Sequence, residues 1–338
     1  MVFKRLLGSL GVGGPTVDTV LSGGPALPGG PLRGQVHLKG GTAAHEIEHV
    51  TLELVARVEA EHAEGEDTGT VAFERYTVGG GFRLDEGAEH VLPFEVPLPW
   101  EVPVTELHGQ PLGVVLGVRT ELGVAGARDK SDLDAVAVAP LPVQEAVLEA
   151  LGQLGFVFVS ADLELGRIQG TAQRLPFYQE IELSPPQHQA HALSQLEVTF
   201  LAAPDGVDVV LEADRRGAGP FGAFGGGDAL NRHTVAHEDA GQRDWTAVVA
   251  EWVRQLVDGR THPGGHHAGH AGGHGHGGPG VGAAVAAGAA GLAVGVAGGL
   301  VAAEIVDEIG DALEDDAAED AFAGDAFGGD EGDAGEEG

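Results

Sequence analysis

Two stretches of this chain hold clustered histidines with the makings of a metal or catalytic site. His45-Glu46-Ile47-Glu48-His49 fits H-E-x-x-H, in which a helix sets two imidazoles on one face to bind zinc while the glutamate activates water. Farther on, His262, His266, His267, His270, His274 and His276 stand in a Gly-rich tract. Several imidazoles on a flexible chain can converge on a divalent transition metal, and these six are weak metal-ligand candidates beside the plain reading of a polar linker. No Ser/His/Asp set, phosphate-cradling Gly motif followed by Lys, or paired-carboxylate site stands out. The chain has no Cys, which removes disulfides, thiol catalysis and iron–sulfur chemistry.

The elements around the first pattern argue against a zinc helix. Val50, Leu52, Leu54, Ala56 and Val58 alternate with Thr51, Glu53, Arg57 and Glu59, the period of a strand. Four residues along a strand span about 13 Å, too far for one ion. His45 to His49 run straight into this alternation after Gly40-Gly41, so a strand that happens to begin with histidines is the competing reading.

Leu32 to Lys39 show the same period, and further strands are predicted at Val71 to Val78, Glu89 to Val96, Gly113 to Leu122 and Leu133 to Val138. Turn material separates them, including Pro28-Gly29-Gly30-Pro31 and Pro97 to Pro103. Short strands without intervening helices predict an antiparallel sandwich over residues 1–141. The period then changes. Val143, Val147, Leu151 and Leu154 predict a connecting helix within 142–155, with Pro142 near its start.

Strand patterns resume at Phe156 to Ala161, Gly170 to Leu183, Leu193 to Phe200, Val207 to Ala213 and His233 to His237. A helix is predicted from Trp245 to Val257, capped by Asp244 and ended by Gly259. Residues 156–260 are thus expected to form a second sandwich ending in a helix.

Blocks of this stretch resemble the bacterial sporulation-control proteins with an arrestin-like fold. They are Val17 to Leu21, Pro28 to Gly41, Gln173-Arg174-Leu175-Pro176-Phe177-Tyr178-Gln179-Glu180-Ile181-Glu182-Leu183, and Leu211 to Arg216. The resemblance implies a mainly β chain with two arrestin-like antiparallel β-sandwich domains, a helix after each, and a low-complexity C-terminal tail. It also implies a non-enzymatic regulator of sporulation or cell development, acting through contacts with other proteins, with no catalytic residue or cofactor to assign.

Charge agrees with protein partners. The net charge is −34, which repels nucleic acid. Residues 1–260 hold all 18 basic and 37 of the 52 acidic residues, whereas the tail has 15 acidic residues and no basic one. The tail divides into a His/Gly linker (261–280), a Gly/Ala-rich stretch expected as a helix (281–314) and an acidic disordered end (315–338). Residues 281–303 are uncharged and long enough to span about 30 Å, and Gly291, Gly295 and Gly299 lie at G-x-x-x-G spacing. They carry only seven large aliphatics, so a membrane anchor, a self-association helix and a spacer stay open. Lys4-Arg5 before Leu6 and Leu7 imitates a signal peptide, but glycines interrupt the apolar run and no cleavage site follows. The expected location is cytoplasmic, with membrane association through 281–303 as the alternative.

Interaction candidates are Arg174, Arg215 and Arg216, the Phe221 and Phe224 pair in a Gly-rich run, and Phe322 and Phe327 in the acidic tail. The function expected is that of an adaptor. A membrane-associated scaffold anchored or self-associating through 281–303 is the alternative, and a zinc peptidase at His45, Glu46 and His49 the third reading.

Overall fold

In the computed structural model, residues 13–62, 65–215 and 229–258 are described. The first half is two packed sheets. One contains β1 (Thr16–Leu21), β2 (Pro31–Lys39) and β6 (Glu89–Pro97) in the order β1-β2-β6, all antiparallel. Leu32, Val36 and Leu38 point inward from β2, with Arg33, Gln35 and Lys39 outside, as period-two patterning requires.

The facing sheet is organised around β3 (His45–His62), which pairs with β5 (Phe82–Leu84) and then β4 (Gly65–Gly79). It also pairs with β9 (Leu116–Val124), whose outer neighbour is β10 (Lys130–Ala135). Ile47, Leu52 and Leu54 from β3 meet Val118 and Leu122 from β9 and Val36, Leu38 and Phe94 from the other sheet in one core. Each fully buried side chain of this kind contributes about 1.5–3 kcal/mol. The two sheets are also tied at their margin. The Thr19 N–H donates to Asp132 Oδ2 (2.6 Å), and the Thr19 and Thr120 hydroxyls are hydrogen-bonded (2.6 Å). Burial pushes the Asp132 carboxyl above the usual aspartate range despite the Thr19 donor.

A small hairpin, β7 (Glu106–Leu107) and β8 (Gln110–Pro111), precedes β9, and α1 (Pro142–Gln153) follows β10. Pro142 occupies the first turn of α1, and the Gln144 Oε1 accepts from the Leu141 N–H (2.8 Å). Beyond it come β11 (Val157–Leu165), β12 (Phe177–Ser184), β13 (Leu193–Ala203), β14 (Gly206–Arg215) and β15 (Ala229–Val235), paired antiparallel in chain order. A 3-10 turn (His237–Gly241) leads to α2 (Trp245–Val257), whose cap Asp244 accepts from the Ala247 N–H (3.1 Å). The layer backing this five-stranded sheet is supplied by the two helices. Val143, Val147 and Leu151 of α1 and Val249, Trp252 and Leu256 of α2 pack on Ile181, Val198 and Leu211.

The two halves share hydrogen-bonded structure, because β11 runs parallel to β3 at Glu164 and Glu59. One face of β12 serves both cores: Phe177 enters the first, Ile181 and Leu183 the second. Among the described residues no helix is long and apolar enough to cross a membrane. The 281–303 stretch, the six tract histidines, Phe322 and Phe327 lie outside the described residues, as do Arg216, Phe221 and Phe224.

Candidate functional site

The Pro-rich segment after β6 and the loop before β12 build a groove between the halves. Leu98 donates its N–H to the Gly30 carbonyl (2.8 Å), and Gly29 donates to that of Pro99 (3.2 Å). This seats Trp100 on Gly29, which has φ +71° and whose missing Cβ would lie 2.4 Å from the indole. Only glycine leaves that space. On the other side Trp100 stacks against His237 (centroids 5.3 Å apart), and the ring of His237 is hydrogen-bonded through Nε2 to the Ala203 carbonyl (2.8 Å).

Gln173 shapes the opposite wall. Its buried amide donates to the carbonyls of Gly166 (2.9 Å), Leu175 (2.9 Å) and Phe177 (3.1 Å) and accepts from the Ile168 N–H (2.9 Å). The loop is thereby closed around one side chain, leaving Arg174 exposed. Two clamps attach this wall to the Pro-rich segment. The Glu101 carboxylate accepts the N–H groups of Arg174 (2.8 and 2.9 Å) and Leu175 (2.8 Å). Buried Gln179 makes a paired contact with the Val104 backbone, accepting from its N–H (2.9 Å) and donating to its carbonyl (2.8 Å).

The resulting groove has a volume of about 900 Å³. Phe73, Tyr76, Pro97 and Trp100 line it from the first half and Arg174, Pro176, Leu201 and Pro204 from the second, with Glu74, Asp205 and Asp208 also in the lining. Such a surface offers apolar contact area, aromatic faces and one guanidinium. Tyr76 is fixed by donating its hydroxyl to the Pro97 carbonyl (2.5 Å); burial, then the charge of Glu74, raise its pKa.

The face of the β11–β14 sheet that alternates with the core is strongly acidic. The register sets Asp162 opposite Glu180, and Glu182 opposite Glu197, which in turn lies opposite Glu212. Like charges directly across a ladder repel. Burial, followed by repulsion from Glu197, pushes Glu180 up to about 9. Glu197 rises to about 7 from burial and then from Glu212. The same burial raises the Tyr178 phenol. Ser160 donates to the Glu182 carboxylate.

The H-E-x-x-H pattern is corrected as a zinc-peptidase site: its residues lie in β3, not on a helix. Glu46 faces Arg83 (3.6 Å), while His49 bonds Glu121 (3.0 Å) with its ring over Gly123, where a Cβ would lie 2.3 Å from it. Arg75 and Arg119 join Glu121 and Glu53 into an ion-pair network on that sheet face. Among the described residues two sets converge closely enough to hold an ion: His108 with Glu145 and Glu149, and Asp162 with Glu164 and Glu180.

Of the sequence-based interaction candidates, Arg174 stands in the groove wall. Arg215 closes β14, opposite Leu193. Trp100, Tyr76, Glu101 and Gln179 were not singled out by sequence. Gln179 did leave a signal, being in phase with buried Phe177, Ile181 and Leu183.

Residues 3–217 match the family model described as SpoOM protein. The chain belongs to the Spo0M family. Sporulation-control protein spo0M of Bacillus subtilis (strain 168) is 36% identical over 219 residues, covering 64% of this chain and 82% of that protein. The crystal structure of Spo0M, sporulation control protein, from Bacillus subtilis matches with a TM-score of 0.63 and 32% identity, over 73% of this chain and 99% of that chain. Spo0M membership ties the chain to regulation of sporulation and accounts for the mainly β fold. The Spo0M match contains Trp100, Glu101 and Arg174, so both walls of the groove are made from the family's own segment.

Proposed function

We propose that the chain is a non-enzymatic adaptor in the control of sporulation, and that the groove between its halves receives an extended segment of a partner protein. On this reading residues 1–141 and 156–260 act as two lobes joined by 142–155, and the groove is their common product. The observation that carries it is the groove itself, with Trp100 and prolines on one side and the exposed guanidinium of Arg174 on the other, held by Glu101 and Gln179. A segment with an apolar side chain for the aromatic wall and a carboxylate for Arg174 fits this chemistry. The net charge of −34 disfavours nucleic acid as the ligand.

The test replaces the endogenous gene in the native host with chains carrying Arg174→Glu, Trp100→Ala or both. Truncating a central aromatic costs about 2 kcal/mol or more of binding, roughly a thirty-fold loss. Each single variant is expected to impair sporulation control and the double variant to match a deletion, with the Arg174→Glu protein still melting like the wild type. Normal sporulation control by the folded double variant would remove the proposal.

A further inference from the structure

Outside the groove, a hairpin tip and a helix bring three ligand-type side chains together. His108 and Gly109, at the β7–β8 turn, both have positive φ, +54° and +75°. Two successive left-handed residues form the tight turn suited to a two-residue hairpin, and this one sets His108 over α1. There Glu145 and Glu149 lie one turn apart on the same helix face. The His108 Nε2 is 2.9 Å from Glu145 Oε1 and 3.7 Å from Glu149 Oε1, and the three ligand atoms lie mutually within 4.8 Å.

Zinc bound at about 2.0–2.2 Å from nitrogen and oxygen in a tetrahedral site separates its ligand atoms by about 3.3 Å. The two distances from His108 bracket that spacing, so small rotations about the glutamate side chains admit an ion. The two carboxylates supply negative charge that a cation offsets, and the imidazole nitrogen selects zinc-type metals over magnesium. The chain around the triad is anchored: Leu107 and Leu112 of the hairpin and Val147 and Leu151 of α1 share one core.

We infer that His108, Glu145 and Glu149 form a zinc-type transition-metal site that clips the β7–β8 hairpin to the connecting helix, with water completing the coordination. Binding takes the lone pair of Nε2, so His108 enters the site as the neutral imidazole with its proton on Nδ1, and the contact between Nε2 and Glu145 is replaced by the metal. The site is exposed, with side-chain accessibilities of 52%, 42% and 51% for the three residues, so the ion can enter from solvent.

The test uses the full chain, stripped with a chelator, in a background where His262, His266, His267, His270, His274 and His276 are serines so that the tract does not contribute. Titration calorimetry with zinc chloride is expected to show one ion per chain and a raised melting temperature. His108→Asn preserves the turn, since Asn tolerates positive φ. It should weaken zinc binding at least tenfold, and so should Glu149→Gln, which leaves the hairpin untouched. Absence of zinc binding, zinc affinity unchanged in both variants, or an equal response to magnesium chloride would each overturn the assignment.

Discussion

Glu180→Gln is expected to stabilise the folded chain at pH 8 and to flatten its loss of stability as pH rises. Glu180 titrates at about 9 in the fold instead of 4.5, because burial and then Glu197 oppose its charge. Its folded pKa lies above its unfolded one, so between these values the native state binds more protons. Stability is therefore full below about pH 4.5 and is lost as pH rises through 9. Glu197, at about 7, acts in the same direction at the lower end of that window. Unscreened linkage would amount to about 6 kcal/mol for Glu180. Solvent access to the acidic face reduces this to on the order of 2 kcal/mol. Urea denaturation of both proteins at pH 6, 7, 8 and 9 checks the result. The gap between them should widen with pH, and parallel curves would show that the acidic face does not set the pH dependence.

The opposite effect is expected for Gln179→Leu. The two side chains are similar in size, so the cavity term is small. The Val104 N–H and carbonyl, however, lose their shared partner in a site where Val104 is 2% exposed. Each buried backbone group left without a partner costs about 1–3 kcal/mol, so the two together give a loss of about 2–6 kcal/mol in chemical denaturation. Because this clamp joins β12 to the Pro-rich segment, the variant should also expose the groove wall to proteolysis between Pro97 and Thr105. A loss below about 0.5 kcal/mol would show that water replaces the amide.

The sequence made the regular parts of this fold readable where burial follows one period. The helix over Trp245–Val257 and its Asp244 cap have the predicted bounds, because Val249, Trp252, Val253 and Leu256 repeat at helical spacing. Strand limits were less visible. The strand predicted from Gly170 begins at Phe177, since the Gln173 amide holds the preceding residues in a loop and Pro176 lacks an N–H for a ladder. The strand predicted from Val71 begins at Gly65, where Gly65-Glu66-Asp67-Thr68-Gly69 carries no apolar alternation and pairs only because β3 extends alongside.

The candidate site divides the same way. Arg174 was legible from the block that surrounds it. Trp100 and Glu101 sit in a Pro-rich stretch that reads as turn, and their role arises only when Gly29, His237 and the Arg174 backbone meet them from distant parts of the chain. The acidic face was hidden for a related reason. No local pattern tells that Glu182, Glu197 and Glu212 occupy one row across three strands; that requires the register.

Site-specific photo-crosslinking in the native host tests the adaptor reading most directly. A photoreactive residue is placed at Arg174 in the groove wall or at exposed Ser131 on β10, the latter as a control. A discrete protein adduct formed during sporulation at position 174, absent at 131 and lost when Trp100→Ala is added, is the expected result. No adduct at 174, or the same adducts at both positions, would contradict it.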